Sequence, residues 1–166
     1  PGNGFHINLS VTTDDSQDHQ PHLIAGILEK IEDMTLFLNP TPNSYKRFGN
    51  HKAPEYISWS HENRSQLIRI PAAVGKYRRV ELRSADPSTN PYLAFTLLIY
   101  ASLYGIQNNL TPPAPADFNI YKAEPAILAG QKRLPADFKA ACMAAYKSEF
   151  IREHIPTSIL NIYCKK

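Results

Sequence analysis

Arg79-Val80-Glu81-Leu82-Arg83 alternates strictly. In an extended chain Val80 and Leu82 point one way, while Glu81 and its two flanking arginines point the other. A carboxylate between two guanidiniums is costly to bury and useful inside a cleft. Glu81 could hold a divalent cation there while the arginines bind anionic oxygens. The stretch ends a basic segment: between Glu62 and Arg83 lie Arg64, Arg69, Lys76, Arg78, Arg79 and Arg83, 6 of the 18 Lys and Arg residues, against only Glu62 and Glu81. A solvated face is the ordinary fate of such a cluster, and the alternation over 79–83 is what argues otherwise. Five of the six cations are arginines, whose planar fork suits phosphate or carboxylate. A small phosphorylated or carboxylated ligand is therefore expected. No aromatic interleaving or binding module accompanies the arginines, and the net charge is only +3, so nucleic acid is not expected.

A second chemical stretch is Gly4-Phe-His-Ile-Asn-Leu-Ser-Val11. Phe5, Ile7, Leu9 and Val11 form the apolar face of a half-buried strand. His6, Asn8 and Ser10 give its other face a metal-capable imidazole, an amide and a hydroxyl. His19 and His22 beside Asp14, Asp15 and Asp18 imitate a metal cluster, but suit a polar loop and first helical turn better. No P-loop is present, and Gly2 and Gly4 precede a strand instead of a helix. Cys142 and Cys164 lack metal-ligand spacing and are expected to be reduced thiols of a cytoplasmic protein.

These groups need a scaffold, and the patterning predicts an α+β one. Strands are expected at 4–11, Tyr56 to Ser60, Gln66 to Ile70 and Lys76 to Arg83. Apolar residues Leu23, Ile24, Ile27, Leu28, Ile31 and Met34 follow Pro21 at helical spacing, up to the Asn39-Pro40 stop. Ser88-Thr89-Asn90-Pro91 starts a second helix running to about Ile106 or Asn108. Pro112, Pro113 and Pro115 extend the chain, and helices close it at roughly Ala136 to Arg152 and Thr157 to Cys164. The apolar run around Leu93 to Leu103 is too short to span a bilayer. A strand almost at the first residue, with no methionine before it, suggests part of a longer subunit.

Three stretches resemble glutamine synthetase of the bacterial and archaeal type I: Gly2 to Ser10; Asn39-Pro-Thr-Pro-Asn-Ser-Tyr-Lys-Arg47 with Ala53-Pro54; and the run from Trp59 to Pro91. That run contains NRSQLIRIP, RRVELR and the start of DPSTNPYLAF. The resemblance implies a glutamine synthetase-like catalytic domain of antiparallel strands with packed helices and an incomplete sheet. Residues 1–166 would be its carboxy-terminal portion, without the amino-terminal β-grasp domain and the first part of the catalytic domain. It implies a ligase that phosphorylates the γ-carboxylate of glutamate with ATP and lets ammonia displace phosphate, aided by Mg²⁺ or Mn²⁺.

Carried over by position, His6 and Glu81 would be metal ligands. Gly2 and Arg47 would bind glutamate, Arg47 at the α-carboxylate. Arg83 would serve the reacting γ-carboxylate and Arg64 the transferring phosphoryl, making these two the catalytic arginines as well as substrate contacts. Asn8, Ser10, Arg64, Arg69, Lys76 and Arg79 would line the ATP site. The intact protein is implied to be a cytoplasmic homo-oligomer, a dodecamer, with no membrane or nucleic-acid partner. The 166-residue chain alone is expected to be inactive.

Three departures stand out. Asn8 replaces a common histidine. Lys52 precedes Ala53-Pro54 where the family carries a lid glutamate that receives ammonium. Asn119-Ile120-Tyr121 resembles a segment bearing an adenylylated tyrosine, but is followed by Lys122. A γ-glutamyl–amine ligase for a larger amine, or a non-catalytic nucleotide-binding paralogue, are the alternatives.

Overall fold

The computed structural model describes residues 4–14, 17–50 and 53–165, and for Lys76 the backbone alone. Strands β1 (Ile7–Leu9), β2 (Trp59–His61), β3 (Ile68–Ile70) and β4 (Val80–Leu82) form an open sheet in the order β1-β4-β3-β2. Helices α1 (Gln20–Leu38), α2 (Pro91–Gln107), α3 (Pro125–Leu128), α4 (Phe138–Lys147), α5 (Glu149–His154) and α6 (Thr157–Tyr163) complete an α+β architecture. No helix among the described residues is long and apolar enough to cross a membrane.

The sheet is mixed. β1 and β3 run antiparallel to β4, as expected, but β2 runs parallel to β3. A parallel connection ordinarily needs a dozen or more residues; here 62–67 suffice. Glu62 makes the reversal by adopting a left-handed conformation, φ 59°. Side chains then secure the loop. Buried Gln66 donates to the carbonyls of Ala116 and Phe118, Asn63 donates to Phe118, and the Ser65 hydroxyl accepts from the Ile120 amide. The proline-rich strap after α2 is thereby pinned beside β2 without a ladder of its own.

Several expected spans shrink. The first strand has regular ladder pairing over Ile7–Leu9, with the Phe5 amide bonded further on to the Ala85 carbonyl. The segment expected as strand from Lys76 begins instead as a 3-10 turn, Gly75–Tyr77, because Gly75 takes φ 56° and turns the chain before β4. The expected 136–152 helix is two helices. Ser148 breaks it in an extended conformation, capping the Ile151 amide and donating to Asp33. The Asn39-Pro40 stop holds, but a 3-10 turn with a Thr41–Ser44 capping box follows over Pro42–Arg47. That turn delivers Arg47.

The core forms where α1 and α2 cross and face the sheet. Ile27, Ile31, Met34, Leu97 and Leu98 are fully buried in one cluster with Ile68, Val80 and Leu82. At the crossing the two backbones touch. A Cβ on Gly26 would lie 2.1 Å from the Ala101 carbonyl oxygen, and one on Gly105 would lie 2.0 Å from that of His22. Glycine is required here by space alone. In an unhindered helix Gly→Ala stabilises by about 1 kcal/mol. Gly105→Ala is expected to do the opposite, costing about 3 kcal/mol by forcing the helices apart. Gly130→Ala, in the turn after α3 with nothing within 4 Å, is the control for an unhindered site and should not destabilise. Urea unfolding of the two variants reads both effects.

Candidate functional site

Strand register builds the first half of the site. Glu81 on the central strand β4 lies opposite Asn8 of β1 and Arg69 of β3. The Glu81 Oε2 accepts from Arg83 at 2.8 Å and from Arg69 at 3.1 Å, while Oε1 lies 3.5 Å from His6 Nδ1. The Arg69 Nε also donates to the carbonyl of left-handed Glu62, at 3.1 Å. The tight reversal between β2 and β3 therefore sets the angle of a site arginine.

The predicted alternation is real on the apolar side, where Val80 and Leu82 are fully buried. On the polar side it needs correction. Arg83 is only 4% exposed, although a cleft position was expected. Its bond to Glu81 makes that burial tolerable, with the Nε unpaired among the described residues.

The second half comes from the helix ends. Arg47 donates from Nη1 to Asn39 Oδ1 at 3.3 Å and to Asp86 Oδ2 at 3.2 Å, and from Nη2 to the Ala85 carbonyl at 3.2 Å. Asn39 ends α1, and Asp86 precedes α2, tied to α1 by its amide bond to the Leu38 carbonyl. Gly4 lies between the two halves. A Cβ there would stand 3.4 Å from His6 Nε2 and 3.8 Å from Arg47 Nη2.

Other predicted residues are less engaged. Asn8 and Ser10 are exposed, and with His6 they line a cleft of about 420 Å³ floored by β1 and walled by Phe95 and Ile99 of α2. Arg64 is exposed on the loop after β2 with no partner among the described residues. Arg79 is exposed and, among the described residues, reaches only the Tyr77 carbonyl, at 3.5 Å. These two are not drawn into the Glu81 cluster. Lys76 lies in the Gly75–Tyr77 turn with its side chain outside the described residues, as are Gly2 and Lys52 entirely.

Beyond the site, His22 Nδ1 bonds the Leu110 carbonyl, and Asp18 accepts from the Gln20 amide and pairs with Arg78, so these two members of the His/Asp cluster serve the helix start, while Asp15 lies outside the described residues. Tyr121 follows the strap and is 40% exposed. Sequence reasoning missed Asp86, Asn39 and the Glu62 carbonyl. An aspartate two residues before a serine was a usable signal for the first, being the pattern of an Asx turn.

Electrostatics fit ligand binding. Burial pushes the Glu81 carboxyl up, but hydrogen bonds from Arg83 and Arg69 more than reverse this and hold it below the ordinary range. Burial, then the Arg83 charge, lowers His6 and keeps its imidazole neutral, the form that ligates metal. Among the described residues no group of three or more His, Cys, Asp or Glu could by itself hold a metal. His6 and Glu81 fit a divalent cation as part of a shell: one nitrogen and one hard oxygen, side by side.

The sequence profile of the glutamine synthetase catalytic domain matches residues 1–166. A glutamine synthetase from Methanosarcina mazei is 40% identical over 182 residues, covering 99% of this chain and 40% of that protein. Those from Clostridium saccharobutylicum and Pyrococcus furiosus are 45% and 37% identical over 72% and 97% of the chain. The chain spans 30–40% of the length of these three relatives. A solved structure, a GmaS/ADP complex, superposes with a TM-score of 0.82 at 25% identity, covering 99% of this chain and 41% of that one.

The Glu81 hub yields a stability prediction with a defined sign. A carboxyl held below its ordinary value of 4.5 contributes stability above that pH and loses it as pH falls through the lower, folded value. Glu81→Gln leaves Arg83 buried without its counter-charge and is expected to cost about 3 kcal/mol at pH 7. The gap between variant and parent should narrow as pH falls below 4.5. Urea midpoints at pH 7 and in the acid range read both values.

Proposed function

The chain belongs to the glutamine synthetase family, and from that premise we propose that it forms the carboxy-terminal part of the catalytic domain of an ATP-dependent glutamate–ammonia ligase. The observation that carries this reading is the convergence of His6, Arg69 and Arg83 on Glu81 next to the clamped Arg47. Such a site meets a substrate with anionic groups at both ends plus a polyphosphate. The ADP bound in the solved neighbour supports a nucleotide here too.

In this reading glutamate's α-carboxylate sits on Arg47 and its γ-carboxylate lies towards Arg83. A γ-carboxylate oxygen attacks the terminal phosphorus of ATP and ADP leaves, giving γ-glutamyl phosphate. Ammonia then attacks the acyl carbon, phosphate leaves, and glutamine remains. Arg69 and Arg64 face the charge that spreads over the transferring phosphoryl oxygens, where fixed positive groups act most strongly. Asn8, Ser10, Lys76 and Arg79 contact the nucleotide, and Gly2 adds a backbone contact to glutamate. His6 and Glu81 would hold Mg²⁺ or Mn²⁺, which supplies charge neutralisation for ATP phosphates. Before the cation arrives, Glu81 keeps Arg69 and Arg83 oriented, so little rearrangement is needed on binding.

The working protein is proposed to be a cytoplasmic homo-oligomer, a dodecamer, without membrane or nucleic-acid partners. Two donors make only part of a metal shell, so the 166-residue chain alone is expected to give no ATP-dependent glutamine. Turnover by the purified chain would overturn that expectation.

The full-length subunit should sustain ADP release over many turnovers only with both glutamate and ammonia. Arg47→Lys keeps the charge and loses the fork, and should raise the KM for glutamate about 10- to 100-fold with little change in the KM for ATP. Lys52 in place of a lid carboxylate keeps a larger amine in view as acceptor. A panel of ammonia, methylamine and ethanolamine separates the two ligases, and absence of ADP release with any of them would mark a nucleotide-binding paralogue.

A further inference from the structure

A guanidinium has five N–H donors, and the neighbours of Arg47 use three of them selectively. Nη1 donates to Asn39 Oδ1 and to Asp86 Oδ2, and Nη2 to the Ala85 carbonyl. Among the described residues the Nε–H has no acceptor. Nε and Nη2 share one long edge of the guanidinium, an edge that can take a carboxylate with two parallel bonds.

The acceptors doing this are themselves held. Asp86 receives the Ser88 amide, at 2.8 Å, and the Ser88 hydroxyl on Oδ1, so Oδ2 is turned to Arg47. Its own amide is bonded to the Leu38 carbonyl at 2.9 Å. Asn39 is fully buried. Both members of the ion pair are largely shielded, with side-chain exposures of 13% and 14%. Gly4, without a side chain, leaves the neighbourhood of Nη2 open.

We propose that Asp86 is a positioning residue: with Asn39 and the Ala85 carbonyl it locks the Nη1 end of Arg47, so that the Nε–Nη2 edge alone is presented to the α-carboxylate of the amino-acid substrate. Asp86 does not touch substrate and acts only through Arg47. The inference rests on glutamate being the substrate, as proposed above. It adds a reason why the seat is specific for a planar carboxylate. A free arginine could offer either edge, and a clamped one offers a single geometry.

The test uses the full-length subunit. Asp86→Asn keeps Oδ1 for the Ser88 turn and removes the charge that holds Nη1. It should lower kcat/KM for glutamate about 10- to 100-fold, the range set by one charge-assisted hydrogen bond, mostly through KM. The KM for ATP should not move. With the α-amide of glutamate as substrate, which lacks the carboxylate, the same substitution should change kcat/KM less than about twofold. In an Arg47→Gln background it should likewise have almost no further effect on glutamate use.

Equal losses in both backgrounds, or with both substrates, would show a merely structural role and overturn the proposal. An unchanged kcat/KM in the parent background would do the same. Asn39→Ser removes the other Nη1 acceptor; it should show the same pattern at smaller size, and decides the matter where Asp86→Asn fails to fold. If the parent subunit does not consume ATP with glutamate, the functional reading fails by itself. The clamp is then judged by ¹⁵N NMR of the Arg47 guanidinium. Slow rotation of its Nη groups in the parent, lost in Asp86→Asn, supports the clamp; equal rotation in both refutes it.

Discussion

Glu81 on β4 and Arg83 just past its end sit two residues apart, and 2.8 Å separates their charged groups in a setting where neither is well hydrated. A buried guanidinium without a partner is strongly destabilising, so the pair with Glu81 is what lets Arg83 be buried just after β4. Arg69 from one neighbouring strand and His6 from the other meet the same carboxylate. Register errors in either pairing would carry these groups to the wrong face. The hub thus links correct sheet assembly with correct assembly of the chemistry. On the proposed reading, a cation held by His6 and Glu81 would share the carboxylate that already orients both guanidiniums.

The two halves of the site owe their positions to different parts of the fold. His6, Arg69, Glu81 and Arg83 are placed by strand pairing. Arg47 is placed by a 3-10 turn after α1 and by the residues just before α2. The contact between Gly26 and Gly105 sets how closely α1 and α2 approach. Both Asn39 and Asp86 depend on those helices, through the α1 cap and the bond to the Leu38 carbonyl. The Glu62 reversal plays the corresponding part for Arg69.

Much of this was legible from residues alone, for identifiable reasons. The α1 and α2 spans followed from apolar spacing and first-turn prolines, which act locally. The alternation at 79–83 located Glu81 and the inward Val80 and Leu82. The parallel β2–β3 pair could not be read, because it depends on a left-handed Glu62 where no glycine marks the turn. The break at Ser148 was hidden in a continuous helical pattern, since its cause is a bond to Asp33 on a distant helix. Burial of Arg83 was likewise a tertiary outcome. Motif resemblance assigned Arg47 but passed over Asp86, although the quoted DPSTNPYLAF begins with it, because its role is visible only through Arg47.

The glycine crossing has a consequence for how this site can diversify. Gly26 is 13 residues before Asn39, about 20 Å along the helix axis. An ångström of separation added at the crossing is carried rigidly to the clamp, where hydrogen bonds tolerate only a few tenths. If Arg47 seats the substrate as proposed, its geometry is therefore coupled to packing positions outside the site. A search for altered amino-acid acceptors that samples only cleft residues would leave the molecule's own calibration point untouched.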